Sequence, residues 1–208
     1  MKNLRIAREG ISYILVPAVF AVLALAVGYR YTAAIFCILS AYMAFFFRDP
    51  KREPPSDPKV IVAPADGKIT RVTSLTPDSS SARLISIFLS PLDVHINRAP
   101  IAGKITNVSY TKGKFLMATD NRASLVNEQN ALTIEGDQIT VVCKQIAGIL
   151  ARRIICWKRQ GEQLRLGERF GLIKFSSRTD LILPDSVEVL VSEGMRVKAG
   201  STIIGRTK

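Results

Sequence analysis

Two runs of apolar residues without any charge lie near the N-terminus, at positions 11–28 and 33–47. About 20 apolar residues are needed to cross a bilayer as a helix, so the first run is long enough and the second needs help from flanking residues. We expect an anchor of two membrane helices over 1–47, joined by a short turn near Arg30. A cleaved signal peptide would need a clear cleavage site, which this sequence lacks, and a buried helical pair in a soluble protein is the other alternative.

Basic residues flank the outer ends of both runs, with Arg5 and Arg8 before the first and Lys51 and Arg52 after the second. In membrane proteins, short segments rich in lysine and arginine stay on the cytoplasmic side. Both ends of the anchor, and the domain that follows it, are therefore expected to face the cytoplasm.

The pattern changes after the second run. Residues 48–58 are rich in proline and charge, which predicts a linker. From 59 to 208, short apolar and β-branched runs are separated by glycine, proline and asparagine at intervals of about ten residues, as in all-β sandwiches and barrels. The predicted fold is therefore mainly β, a compact β-sandwich or barrel-like domain with an N-terminal α-helical anchor.

The net charge of +12 over 208 residues indicates an acidic partner, either nucleic acid or an anionic membrane surface. The apolar runs favour the membrane. Nucleic acid ranks last, because the basic residues are dispersed among strands rather than interleaved with stacking aromatic residues. The chain has one histidine and three cysteines without a CxxC spacing, so neither a multi-histidine metal site nor a zinc or disulfide framework is expected.

Three segments with polar residues interrupt the apolar strands. Asp66 lies in VAPADGKI, where Asp-Gly alone is most often a turn. Asp93 and His95 lie in the proline-bounded FLSPLDVHINRAP, which suits a titrating group that must be oriented. Arg152 and Arg153, in ILARRIICW, are of a type that binds phosphate, although arginines on a strand usually face solvent.

The segment 166–184, LGERFGLIKFSSRTDLILP, predicts two strands, 171–175 and 179–183, that meet at the polar corner 176–178. A serine pair at such a corner is usually a turn. Its surroundings, FxSRxDLxLP, resemble the processing site of the short, membrane-anchored phosphatidylserine decarboxylase proenzymes. The order of the other segments along the chain also matches that family. The two apolar N-terminal runs come first, and the segments of Asp66, of His95 and of the arginine pair come after them.

The resemblance implies self-cleavage between Ser176 and Ser177, which converts Ser177 into a covalent pyruvoyl group. The two resulting chains stay associated in one sheet. The mature enzyme would need no metal and would convert phosphatidylserine into phosphatidylethanolamine and CO2, with the pyruvoyl group as electron sink. It would act at the cell membrane, of the bacterial inner-membrane type, and a homo-oligomer is a further expectation.

The resemblance also suggests roles for single residues. His95 is the expected acid–base group, Asp66 a supporting acid or base, and Asp93 the residue that orients His95. The expected substrate-binding residues are Arg98, Arg152 and Arg153. Arg98 stands where the longer decarboxylases have a second histidine.

Ser176 stands where the family normally has glycine, so it adds a Cβ atom and loses access to positive φ. An alternative hypothesis is therefore a trapped proenzyme or a non-catalytic lipid-binding protein. A third is a membrane-tethered carrier domain, because residues 63–72 and 192–206 each look like half of a lipoyl or biotinyl carrier. Lys198 does not lie in the Met-Lys-Met turn that such carriers modify, so that likeness bears on fold alone.

Overall fold

The computed structural model describes residues 5–75, 82–117, 120, 122–149, 153–175 and 177–207. It contains two compact units, Met1–Lys51 and Arg52–Lys208. The segment 48–58, predicted as a linker, contributes residues to both units.

A helical hairpin forms most of the first unit. Helices α1 (Ile11–Ala26) and α2 (Arg30–Phe46) are joined at Gly28, whose φ of 88° permits the tight turn. Strands β1 (Arg5–Ile6) and β2 (Arg48–Asp49) pair with each other at the other end of the hairpin. Both predicted helices are thus present.

One helical stretch of the described residues, Arg8–Ala26, is long and apolar enough to cross a membrane. It combines α1 with the 3-10 turn Arg8–Gly10 that precedes it. Helix α2 is also apolar, and with 17 residues it is shorter than that stretch. Most large side chains of both helices face outward, which is the arrangement expected of helices in lipid.

The second unit is almost entirely β, which confirms the predicted fold class. Its elements in chain order are β3 (Val60–Val62), β4 (Gly67–Leu75), β5 (Ala82–Leu89), β6 (Ile96–Arg98), β7 (Gly103–Thr111), α3 (Ala123–Val126), β8 (Gln129–Glu135), β9 (Thr140–Ile146), β10 (Ile154–Cys156), β11 (Gln163–Leu164), β12 (Arg169–Ile173), β13 (Ser177–Pro184), β14 (Val187–Val189), β15 (Arg196–Val197) and β16 (Ile203–Thr207).

Three antiparallel sheets are built from these strands. The largest is curled and has the order β11-β7-β8-β9-β13-β5-β4-β15, while the two smaller sheets have the orders β10-β12-β6 and β14-β16-β3. One apolar core is shared by all three, because alternate residues of each strand point inward. Its members include Ile61, Ile87, Leu132, Phe170, Leu181 and Ile204.

The structure differs from the prediction in the bounds of the two strands around Ser177 and in one additional long strand. Strand β12 spans Arg169–Ile173 rather than residues 171–175. Strand β13 begins at Ser177 rather than at residue 179, because Ser177 pairs with Leu89 and Arg178 pairs with both Phe88 and Ile146. The serine and arginine expected in a corner are therefore strand residues. Strand β7 was not predicted, because its exposed face is polar and weakens the apolar signal of the run.

Candidate active site

Ser177 is the first residue of β13, a strand that is flanked by β5 and β9. The residue is fully buried, and its side-chain oxygen has no hydrogen-bond partner among the residues that the structure describes. A buried hydroxyl without a partner costs about 1–3 kcal/mol, which makes Ser177 a candidate for a role other than stability. Ser176, on the other side of the expected cleavage site, lies outside the described residues.

The backbone just before this serine is strained. Phe175 has a φ of 61°, and it is the one non-glycine residue with positive φ in the described part of the chain. For a residue with a bulky side chain this conformation is unfavourable, and such strain is concentrated at functional sites. The strained residue stands two positions before Ser177, in the segment where cleavage is expected.

The chain topology brings His95 towards the same region. Strand β5 ends at Leu89, the pairing partner of Ser177, and the chain then passes through His95 into β6. Strand β6 pairs with β12, which immediately precedes the Ser177 segment, and the Ile173 N–H donates to the His95 carbonyl over 3.3 Å. His95 is 1% exposed, so its ring lies in the interior of the domain.

One hydrogen bond determines the tautomer of His95. Its Nδ1 atom lies 3.0 Å from the backbone carbonyl oxygen of Asp93. A carbonyl oxygen can only accept, so Nδ1 carries the proton and, in the neutral ring, Nε2 is the basic nitrogen. The ring is therefore oriented as a base at Nε2.

The Asp93 carboxylate points elsewhere. Its Oδ2 atom accepts from the N–H and the hydroxyl of Ser90, over 2.9 and 2.7 Å, and Oδ1 accepts from Arg196. Asp93 thus contacts His95 through its backbone, while its side chain fixes the loop between β5 and β6. The Arg196 contact joins residues 103 positions apart in the chain.

Asp66 lies in a second polar cluster. Its carboxylate accepts from Arg52 over 2.6 Å and from the Ala199 N–H over 2.8 Å. Burial raises the pKa of this carboxyl, and the Arg52 charge and the Ala199 N–H only partly oppose that effect. A buried carboxyl with a raised pKa is a candidate for acid–base work.

The three predicted substrate-binding arginines have different environments. Arg98 is 7% exposed, and its guanidinium donates to the Gly167 carbonyl over 3.1 Å. Arg153 is exposed, and its carbonyl accepts from the N–H of Lys174 over 3.2 Å. Arg152 lies outside the described residues.

A buried chain of amides, not predicted from the sequence, links β6 to β13. Asn130 donates to Gln145 over 3.0 Å, Gln145 to Asn97 over 2.9 Å, and Asn97 to the hydroxyl of Thr179 over 3.0 Å. Gly171 permits this approach, because a Cβ atom there would lie 2.8 Å from the Gln145 amide nitrogen. The network fixes the strand after His95 relative to the strand that begins at Ser177.

A second unpredicted cluster follows Ser177 directly. Arg178 binds Asp180 through two hydrogen bonds, Nε to Oδ1 at 2.6 Å and a terminal nitrogen to Oδ2 at 2.9 Å. The two side chains are 3% and 2% exposed. Ser124 of α3 contacts both, with its hydroxyl 3.0 Å from Asp180. The sequence does contain a signal for this cluster, because the two charged residues stand at alternate positions of an otherwise apolar strand.

No group of three or more histidine, cysteine, aspartate or glutamate side chains suited to a metal ion occurs in the described part of the chain. The site instead offers three reactive groups. These are the buried hydroxyl of Ser177, the basic Nε2 atom of His95 and the Asp66 carboxyl with its raised pKa.

The chain was compared with known proteins. A family model described as phosphatidylserine decarboxylase matches residues 39–205. A phosphatidylserine decarboxylase proenzyme of Pelodictyon phaeoclathratiforme is 48% identical over 167 residues, 79% of each chain. The proenzymes of the same name from Solibacter usitatus and Geotalea uraniireducens are 46% and 39% identical, and each alignment covers 98% of this chain and 97% of the relative.

Proposed function

The chain belongs to the phosphatidylserine decarboxylase family, and we propose that it converts phosphatidylserine into phosphatidylethanolamine and CO2. The observation that carries the proposal is Ser177, a fully buried serine whose hydroxyl has no partner among the described residues, within the sequence FSSR. The relatives are named proenzymes, which supports processing of the chain before it acts.

The proposed processing reaction is self-cleavage between Ser176 and Ser177. The Ser177 hydroxyl oxygen attacks the carbonyl carbon of Ser176, the peptide C–N bond breaks, and the nitrogen takes a proton, which leaves an ester. Removal of the Ser177 Cα proton then breaks the Cβ–O bond, leaving a carboxylate on Ser176 and dehydroalanine at 177. Water replaces the nitrogen of dehydroalanine, and ammonia leaves, so that residue 177 becomes a pyruvoyl group.

The surroundings of Ser177 fit such a group. Its hydroxyl has no hydrogen-bond partner among the described residues, so no such bond would be lost in the reaction. The positive φ of Phe175 indicates backbone strain close to the bond that would be cleaved. When formed, the pyruvoyl group supplies the electron sink for loss of CO2. We assign acid–base work in both reactions to Nε2 of His95, with Asp66 as the supporting acid or base.

The cleaved chains are expected to remain together. Residues from Arg178 to Pro184 keep their ladder hydrogen bonds to β5 and β9, and Arg178 also contacts Ser124 on the other side of the cut. The contact of Asp93 with His95 is assigned a positioning role, through the backbone carbonyl. Arg98, Arg152 and Arg153 are assigned to the substrate phosphate.

We place the enzyme at the cytoplasmic face of a bacterial-type inner membrane. The support is the apolar stretch Arg8–Ala26, with basic residues beyond both ends of the helical hairpin. A homo-oligomer is part of the same proposal, because the edge strands β11 and β15 of the large sheet leave backbone groups to be covered.

The activity test uses the full chain, reconstituted in vesicles that contain phosphatidylserine, with release of CO2 and formation of phosphatidylethanolamine as readouts. Ser177→Ala should abolish both, and hydroxylamine, which reacts with ketones, should inactivate the parent protein. Ser109→Ala, at an exposed position of β7, is the matched control and should leave activity unchanged. Decarboxylation by Ser177→Ala, an inactive parent protein, or a parent protein whose activity hydroxylamine does not inhibit would overturn the proposal.

A further inference from the structure

One end of the large sheet is defined by a row of paired residues. Thr111 pairs with Gln129, Gln129 with Ile146, Ile146 with Arg178, and Arg178 with Phe88. The loops 90–95, 112–128 and 147–149 all leave the sheet at this row, and β13 begins there. Ser177 therefore lies at the same end of the sheet as these three loops.

Exposed apolar side chains are concentrated in these loops. Leu125 is 81% exposed, Leu92 66%, Met117 61% and Ile149 55%. At the opposite end of the sheet, the described turn residues 136–139 and 185–186 include no large apolar side chain with comparable exposure. We call the apolar group the Ser177 rim, consisting of Leu92, Phe115, Met117, Leu125, Val126 and Ile149.

Buried hydrogen bonds hold two of the rim loops together. The Asn127 side chain, 1% exposed, donates to the carbonyls of Leu116 and Ala147 over 2.9 and 2.8 Å and accepts from the Leu116 N–H over 2.9 Å. Met117 follows the first of these contacts, and Ile149 lies two residues beyond the second. These two loops, which carry five of the six rim residues, thus form a connected surface.

The rim is also joined to the catalytic strand. Helix α3 carries Leu125, and its neighbour Ser124 contacts Arg178 and Asp180 of β13. Among the described residues of the domain, the most exposed large apolar side chain, Leu125, therefore stands next to a side chain bonded to the residue that follows Ser177.

The charge of the rim indicates its partner. Exposed Lys112 and Lys114 immediately precede the apolar side chains of the longest loop, in a chain with a net charge of +12. Apolar side chains next to lysine suit the boundary between lipid headgroups and acyl chains, whereas the core of a protein–protein interface is depleted of lysine. Each basic residue near an anionic membrane adds to the attraction.

We propose that the Ser177 rim docks on an anionic bilayer containing phosphatidylserine and holds Ser177 at the level of the lipid headgroups. This inference rests on the proposed function, which requires a headgroup to reach residue 177. Docking by the loops that surround the site would deliver the substrate without removing it fully from the bilayer.

A fluorescence experiment tests docking without requiring catalysis. The chain has one tryptophan, Trp157, so Trp157→Phe in a Ser177→Ala background gives a silent parent. Leu125→Trp in that parent, in vesicles of phosphatidylserine with acyl-brominated lipid, should lose about half of its emission. The control Thr140→Trp, exposed at the opposite end of the sheet, should lose little. Equal quenching of the two positions would overturn the proposal.

A second experiment separates docking from the chemistry. Met117→Asp/Leu125→Asp/Ile149→Asp should raise the apparent KM for vesicle phosphatidylserine about tenfold, because acidic groups resist insertion. The triple variant should cleave itself at the parent level, and it should turn over a short-chain phosphatidylserine that is dissolved as monomers at the parent level. The control Thr140→Asp should resemble the parent in every assay. Equal losses on both substrates, or no loss on vesicles, would overturn the proposal. If the parent turns over neither substrate, the proposed function fails, while the quenching experiment still decides on docking.

Discussion

Removal of the Arg178 side chain should destabilise the domain severely. Arg178 and Asp180 form a bidentate pair with 3% and 2% exposed side chains, so Arg178→Met would leave a buried carboxylate with the Ser124 hydroxyl as its remaining donor among the described residues. Loss of one partner of a buried pair costs about 3–5 kcal/mol. For a domain of this size that corresponds to a fall in Tm of about 10 °C.

The matched control is an exposed pair at the opposite end of the same two strands, β5 and β13. Arg83 lies 3.0 Å from Asp185, and the two side chains are 39% and 49% exposed. Exposed pairs contribute about 0–1 kcal/mol, so Arg83→Met should lower the Tm by about 2 °C or less. A double variant, Arg178→Met/Asp180→Leu, removes both buried charges and should recover much of the loss.

The assay is thermal unfolding of the full chain in detergent, followed by circular dichroism, in a Ser177→Ala background that keeps every molecule uncut. If Arg178→Met shifts the Tm no more than Arg83→Met does, the buried pair does not stabilise the strand that begins at Ser177. A double variant that is less stable than Arg178→Met would also contradict the reasoning, because it would mean that the lone carboxylate is not the source of the cost.

Three further outcomes follow from the site. Arg52→Gln should raise the pKa of the Asp66 carboxyl further, because the Arg52 charge that opposes the effect of burial is then absent. NMR of the carboxyl carbon measures this pKa, and an unchanged or lower value would contradict the prediction. Since the folded carboxyl holds its proton more tightly than the unfolded one, its contribution to stability is present at low pH and is lost as pH rises through the folded pKa. Gln145→Leu should cost about 1–3 kcal/mol in thermal unfolding by leaving neighbouring buried amides unpaired, and a loss no larger than that of the exposed Gln163→Leu would refute it. Ser176→Gly should cleave faster than the parent in a time course followed by gel electrophoresis, because glycine adopts positive φ without strain; equal or slower cleavage would contradict this.

The β character of the domain and its apolar leader were predictable, because both depend on local pattern. Runs such as RLISIFLS and DLILP alternate or concentrate apolar residues in the way that buried strands require. Strand β7 was missed because its outward positions, among them Asn107 and Ser109, are polar, so the run does not stand out.

The side-chain partners could not be predicted, because they depend on pairings between distant parts of the chain. Nothing near Asp93 indicates that its carboxylate binds Arg196 while its carbonyl contacts His95. In the same way, Gln145 and Asn97 meet only once β9 and β6 lie on facing sheets. Sequence pattern identifies which residue types carry chemistry, and the fold determines which of their atoms face each other.

The most direct test is intact mass spectrometry of the purified full-length protein. Self-cleavage predicts two species, residues 1–176 and residues 177–208, with the second lighter by one ammonia than a fragment that begins with serine. A single species of 22.9 kDa that persists after prolonged incubation would contradict self-cleavage and leave a trapped proenzyme or a lipid-binding protein.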